Sequence, residues 1–134
     1  MTHRWTCWNM LISGIIITGG RGAYTSTELF LPHTGKTCSL QSLPDNRYQH
    51  SMDVVANKII VCGGTSSQTS CLQFHPTSST GSWSYYATLV QGRSGHSTHS
   101  YEEDLLLMGG PPYPGRKTEI IGNGTQYNLQ QDTQ

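Results

Sequence analysis

An apolar run that ends in two glycines occurs three times in this chain at nearly constant spacing. Ile15-Ile16-Ile17 precedes Gly19-Gly20, Ile59-Ile60-Val61 precedes Gly63-Gly64, and Leu105-Leu106-Leu107-Met108 precedes Gly109-Gly110. The first glycines of the pairs stand 44 and then 46 residues apart. Self-similarity at a period of about 40–50 residues confines a chain to architectures in which one small supersecondary unit packs on copies of itself. A continuous apolar run of this length, bounded by turn residues, reads as a strand buried on both faces. The glycines that end it, lacking Cβ, permit positive φ and close approach of neighbouring backbone as the strand leaves the core.

A second signature keeps the same register: Arg47-x-x-His50-Ser51 returns 46 residues later as Arg93-x-x-His96-Ser97. A tryptophan, Trp83, stands late in the second repeat, where it predicts a large apolar surface on an outer strand. With the Gly-Gly pairs, these residues resemble the Kelch repeat family. There an Arg-x-x-His-like strand, an apolar strand ending in Gly-Gly, a third strand and a Trp-bearing fourth strand form one blade of a β-propeller. The resemblance implies an all-β chain of three four-stranded antiparallel blades, a partial β-propeller, in one domain over residues 1–134. The repeats fall at 3–46, 47–92 and 93–134. The first lacks the Arg-x-x-His signature and has Cys38 near the Trp position; the third has no Trp.

Composition agrees with that class. Charged residues make up 12% of the 134, about half the usual share, and Gly reaches 15. Formal net charge is zero without runs of like charge, so the basic footprint that nucleic acid or an anionic membrane requires is missing. No apolar run approaches the roughly 18 residues of a membrane-spanning helix. Arg4 followed by the fairly apolar residues 5–17 and by Gly19, Gly20, Gly22 and Ala23 has the outline of a secretion signal. The same run is in register with the second repeat, which already accounts for it as a buried strand.

Within the repeats, strands are expected at 5–11, 15–18, 27–31 and 37–43; at 50–55, 58–62, 71–75 and 82–89, with a turn at Ala56-Asn57; and at 96–101, 105–108, 118–121 and 125–129. Asn123-Gly124 is the strongest short hairpin signal.

Several chemical patterns dissolve on inspection. Gly35-Lys36-Thr37 lacks the glycine five positions earlier that a phosphate-binding loop needs, and Gly20-Arg21-Gly22 has no helix after it. His96-x-x-His99 lies in a strand, where residues three apart face opposite sides. His50 and His96, recurring with Arg47 and Arg93, are expected instead to hydrogen-bond between strands, while His3, His33 and His75 are expected in solvent. No metal, cofactor or catalytic set is assigned. Cys7, Cys38, Cys62 and Cys71 form no C-x-x-C pair, which gives no support to a zinc site. If strands two and three pair as in Kelch blades, Cys62 and Cys71 become cross-strand neighbours, either disulfide-bonded or two buried thiols. Asn123-Gly124-Thr125 is a glycosylation acceptor, and together with the cysteines it favours an extracellular setting.

Because Kelch propellers mostly bind proteins, the resemblance implies a non-catalytic interaction module that takes a protein partner through its inter-strand loops. Loops at 21–26, 65–70 and 111–117 are expected on one face, with Arg21, Tyr24, Tyr113, Arg116 and Lys117 as contacts. The alternative is a piece of a galactose-oxidase-like copper oxidase, since such enzymes use Kelch-like repeats. Three repeats leave apolar faces open, so further blades or self-association are expected.

Overall fold

In the computed structural model the described residues are 14–65, 69–76, 80–110 and 118–122, together with the backbone of 125–128. They form three antiparallel sheets and, among them, no helix. The first sheet contains β1 (Ile15–Thr18), β2 (Thr27–Leu31) and β3 (Lys36–Ser39). The second contains β4 (Ser51–Val55), β5 (Lys58–Cys62), β6 (Ser70–His75) and β7 (Ser82–Thr88). The third contains β8 (Ser97–Tyr101), β9 (Asp104–Met108), β10 (Glu119–Gly122) and β11 (Thr125–Asn128). Every strand pairs with its neighbour in the chain, so each sheet is a meander without crossovers.

Local chemistry explains the turns. Ala56 and Asn57 both take positive φ, 48° and 60°, the backbone that matches a two-residue hairpin to the twist of its strands. Their register sets Val55 opposite Lys58 and Ser51 opposite Cys62.

The second and third apolar runs become the inner strands β5 and β9; the first, expected to be buried on both faces, is β1 at the edge of its described sheet, where Ile15 and Ile17 are about half exposed because no described layer covers their face. Ile60, Val61 and Cys62 of β5 are all buried because a sheet covers each face of theirs. On one side Leu29, Leu31 and Leu40 meet Phe74, with Ile16, Ile59 and Trp83 around them. On the other, Val55, Ile60, Cys62, Ala87 and Leu89 meet Leu105, Leu107 and Ile121. Two cores thus separate three layers. The edge strands β4 and β8 run side by side, and the Asp53 carboxylate accepts the Ser100 N–H across them at 2.8 Å.

The first sheet has three described strands; the fourth, expected at 5–11, lies outside the described residues. One further expectation needs correction. The strand expected at 37–43 ends at Ser39. Leu40 N–H still donates to Thr27 O in the register of β2 and β3, but the chain then leaves that ladder, and Gln41 N–H crosses to Thr80 O at 2.8 Å.

Candidate functional site

The repeated arginines are the largest fully buried side chains of the described fold. Arg47 Nε and Nη2 donate to the two carboxylate oxygens of Asp45 at 2.7 and 3.1 Å. Its Nη1 donates to Gly63 O at 3.0 Å and to Ser70 O at 2.8 Å, and Nη2 to Ser70 Oγ at 2.5 Å. A buried guanidinium is tolerable only when its donors are met, and a bidentate carboxylate with two carbonyls does so. The same group clamps both ends of the 63–70 loop. Arg93 repeats the design with one substitution. Its Nη1 donates to Gly109 O at 2.8 Å, but its carboxylate partner is Glu119, at 3.5 Å from Nη2. Glu119, fully buried on β10, also accepts Val90 and Gln91 N–H at 3.2 and 2.7 Å.

The backbone of each arginine joins two sheets. Gly20 N–H donates to Arg47 O at 2.9 Å and Gly64 N–H to Arg93 O at 2.8 Å. The repeated histidines reinforce the joints. His50 Nε2–H donates to Thr18 O at 2.9 Å, the carbonyl fixing the tautomer, and His96 Nε2 pairs with Ser51 Oγ at 2.6 Å. Both imidazoles lie below their ordinary range: burial lowers His50, against the opposing pull of its bond to the Thr18 carbonyl and with a smaller lowering from Arg47, and His96 is pushed to about 4 through burial, then Arg93 and His50. These rings are built to stay neutral.

The Gly-Gly pairs make room for them. A Cβ on Gly19 would lie 2.6 Å from His50 Cε1 and 2.7 Å from Arg47 O; on Gly63 it would lie 2.6 Å from His96 Cε1 and 2.5 Å from Arg93 O. A Cβ on Gly64 would meet Tyr48 O at 3.1 Å, and one on Gly110 would meet Ser94 O at 2.5 Å. Gly19, Gly20, Gly63, Gly64, Gly109 and Gly110 all take positive φ.

Above the first joint lies an exposed rim. The rings of Tyr24 and Tyr48 sit 5.6 Å apart, and Arg47 N–H donates to Tyr24 O. Thr65 N–H donates to Tyr48 O, and Thr65 Oγ1 donates to Tyr48 O and Gln49 Oε1. Two of the three loops expected to share a face therefore meet at Tyr48, with Arg21 exposed beside them in the first. Tyr113, Arg116, Lys117 and Asn123 lie outside the described residues. Trp83 stands at the first joint, its ring 5.1 Å from Phe74 and its Nε1–H on Gln41 O at 2.9 Å. Cys62 and Cys71 face each other across β5 and β6 and are joined by a disulfide; Cys38 is disulfide-bonded as well. His75, expected in solvent, is instead half-buried at the end of β6, where its Nε2 pairs with Ser84 Oγ on the neighbouring strand.

The partners of the arginines escaped the sequence reading. Asp45 stands two residues before Arg47, but the matching position before Arg93 is Gln91, so no repeated carboxylate marks the site. Tyr48 offered no signal beyond lying within the Arg-x-x-His segment. Among the described residues, no three His, Cys, Asp or Glu side chains gather as a metal site would need.

A scan against protein-family models finds no match, and no curated protein matches the chain. Solved structures do share its fold. A fungal alcohol oxidase of the AA5 family, solved in complex with copper, superposes with a TM-score of 0.66 at 16% sequence identity, over 85% of this chain and 27% of the oxidase. The chain thus spans little more than a quarter of that protein's length, and at this identity the likeness is one of fold.

Proposed function

We propose that this chain is a segment of a Kelch-type β-propeller and that it binds a protein partner through the loop rim around Tyr24 and Tyr48, without catalysis of its own. One observation carries the reading: the repeated reactive side chains are spent on the joints between sheets. Arg47, Arg93, His50 and His96 are occupied by carboxylates, carbonyls, a hydroxyl and the glycine faces. What is left at the loop end is exposed Tyr24 against half-buried Tyr48, with Arg21 exposed in the loop of Tyr24, the kind of surface that suits a protein partner. Zero net charge argues against a polyanionic partner. The cystine at Cys62 and Cys71 supports an oxidising, extracellular setting.

The second reading, a piece of a copper-dependent alcohol oxidase, is favoured by the solved neighbour. One experiment separates them. Alanine at Arg21, Tyr24, Tyr113 and Arg116 should leave the circular dichroism and melting of the chain within about 0.5 kcal/mol per site, while crosslinking to a partner identified with the unaltered chain falls away. Stoichiometric copper together with oxidation of a primary alcohol, both unaffected by the loop substitutions, would establish the second reading.

A further inference from the structure

The two histidines of the joints each keep one ring nitrogen unused. His50 gives its Nε2–H to Thr18 O and His96 pairs Nε2 with Ser51 Oγ, but Nδ1 of both rings is buried without a hydrogen-bond partner among the described residues. A neutral imidazole tolerates this, since at His50 the unused Nδ1 is only a lone pair. A protonated imidazole carries N–H at both nitrogens and a positive charge. The second N–H would be a buried donor without an acceptor, attached to a charge, and a charged group left unpaired costs more than a neutral one.

The surroundings add to that cost. In its own segment His50 faces Arg47 and His96 faces Arg93, and His96 also feels His50. The other elements bring neutral groups: Thr18 O and Gly19 against His50, Gly63 and Ser51 against His96. Of these, the Thr18 carbonyl favours a proton on His50, but burial outweighs it. The carboxylates behind the arginines are already taken, Asp45 by Arg47, and Glu119 by Arg93 and two backbone N–H groups. Both joints moreover meet at one glycine pair, with the His96 ring over Gly63 and the His50 Cβ against Gly64, so a charge at one bears on the other. Within each sheet the strands hold one another by their own ladders, whereas the main-chain bonds across the joints, Gly20 N–H to Arg47 O and Gly64 N–H to Arg93 O, each stand next to a glycine that a histidine ring covers.

We infer that His50 and His96 make these joints an acid-operated latch: neutral rings hold the sheets together, and protonated rings part Gly20 from Arg47 O and Gly64 from Arg93 O while each sheet keeps its own ladder. The closed joint excludes the proton, and the open joint admits it to an ordinary imidazole. Closure is therefore complete above pH 6.5 and is lost as pH falls toward the value of about 4 at which His96 titrates in the closed joint. Tyr48 lies between Arg47 and His50 in the chain, so the loop rim loosens with the joint. The latch does not depend on what that rim binds, and the two readings can fail separately.

Hydrogen exchange of the whole 134-residue chain tests this, with each amide's rate taken relative to its unstructured rate at the same pH. Between pH 6.5 and 4.5 the protection of Gly20 and Gly64 should fall about tenfold or more, and that of Val61 and Leu72, inside the ladder of β5 and β6, by less than about twofold. His50→Gln together with His96→Gln leaves neutral side chains in both joints and should abolish the response. Nitrogen NMR of the rings in the unaltered chain should show Nδ1 taking up its proton over the range in which the glycine amides open, and this decides the matter even where the double variant does not fold. The inference is overturned if the rings protonate while Gly20 and Gly64 stay protected, or if the glycines open as far in the double variant as in the unaltered chain. It is also overturned if Val61 and Leu72 lose protection in step with the glycines, which would make the response unfolding of the whole chain.

Discussion

Gly63 and Gly109 offer a matched pair of perturbations, because their backbones are alike and their surroundings are not. Both take φ in the left-handed region, 66° and 75°, so replacing either with alanine incurs the same conformational cost, about 1–2 kcal/mol for an L-residue there. At Gly63 the added methyl would also stand 2.5 Å from Arg93 O and 2.6 Å from His96 Cε1. Neither neighbour can yield freely: the carbonyl accepts the Gly64 N–H, and the ring is held by Ser51. Overpacking of a site that cannot relax costs a further 1–3 kcal/mol or so. At Gly109 the methyl meets no described atom. Gly63→Ala should therefore destabilise the chain by about 1–3 kcal/mol more than Gly109→Ala. For a chain of this length, each kcal/mol is about 3–5 °C in melting temperature. Urea titration followed by tryptophan fluorescence measures the difference directly, provided the slopes of the two variants agree. Equal losses, within about 0.5 kcal/mol, would refute the reasoning, since Gly109 would then be as crowded as Gly63.

Three other outcomes can be checked on the same material. His96 titrates at about 4 when folded against 6.5 ordinarily, and His50 is shifted the same way, so as pH falls the unfolded chain takes up protons first. Their stabilisation is complete above pH 6.5 and is lost as pH falls toward 4. With the partly solvated ring discounted for screening, His96 accounts for about 1–2 kcal/mol of it, seen as a fall in melting temperature over that window that His96→Gln flattens. Replacing Cys62 and Cys71 together by alanine opens a loop closed by cysteines nine residues apart and should lower stability by about 2–3 kcal/mol in chemical denaturation. Glu119→Ala removes the carboxylate beside buried Arg93 and the acceptor of two backbone N–H groups, for an expected loss of about 3–5 kcal/mol, whereas Glu102→Ala on the exposed β8–β9 turn should stay within about 0.5 kcal/mol.

The middle strands, the Ala56-Asn57 turn and the antiparallel pairing were legible in the sequence, because a run such as Ile59-Ile60-Val61 can satisfy itself only between two covering layers, and each strand pairs with its neighbour in the chain. The bend after Ser39 was not legible. Thr37, Ser39 and Gln41 alternate with Cys38 and Leu40 as strand residues do, and only the tertiary bond from Gln41 N–H to Thr80 O draws the chain out of its sheet. The candidate site divides the same way. The glycines and the Arg-x-x-His-Ser segments stand out because the joint is made largely of main-chain atoms, a carbonyl on one side and an N–H with no side chain in the way on the other, and such a joint admits few alternatives at its contact points. The carboxylates behind the arginines do not stand out, because the guanidinium asks only for negative charge at its outer edge and is indifferent to where in the chain it comes from. Asp45 supplies it to Arg47 from two residues upstream, at the end of the first repeat; Glu119 supplies it to Arg93 from strand β10. A repeat pattern therefore marks the positions where geometry is exacting and passes over those where only charge is required, and Glu119, absent from any motif, does on β10 for Arg93 what Asp45 does for Arg47 from the connection before β4.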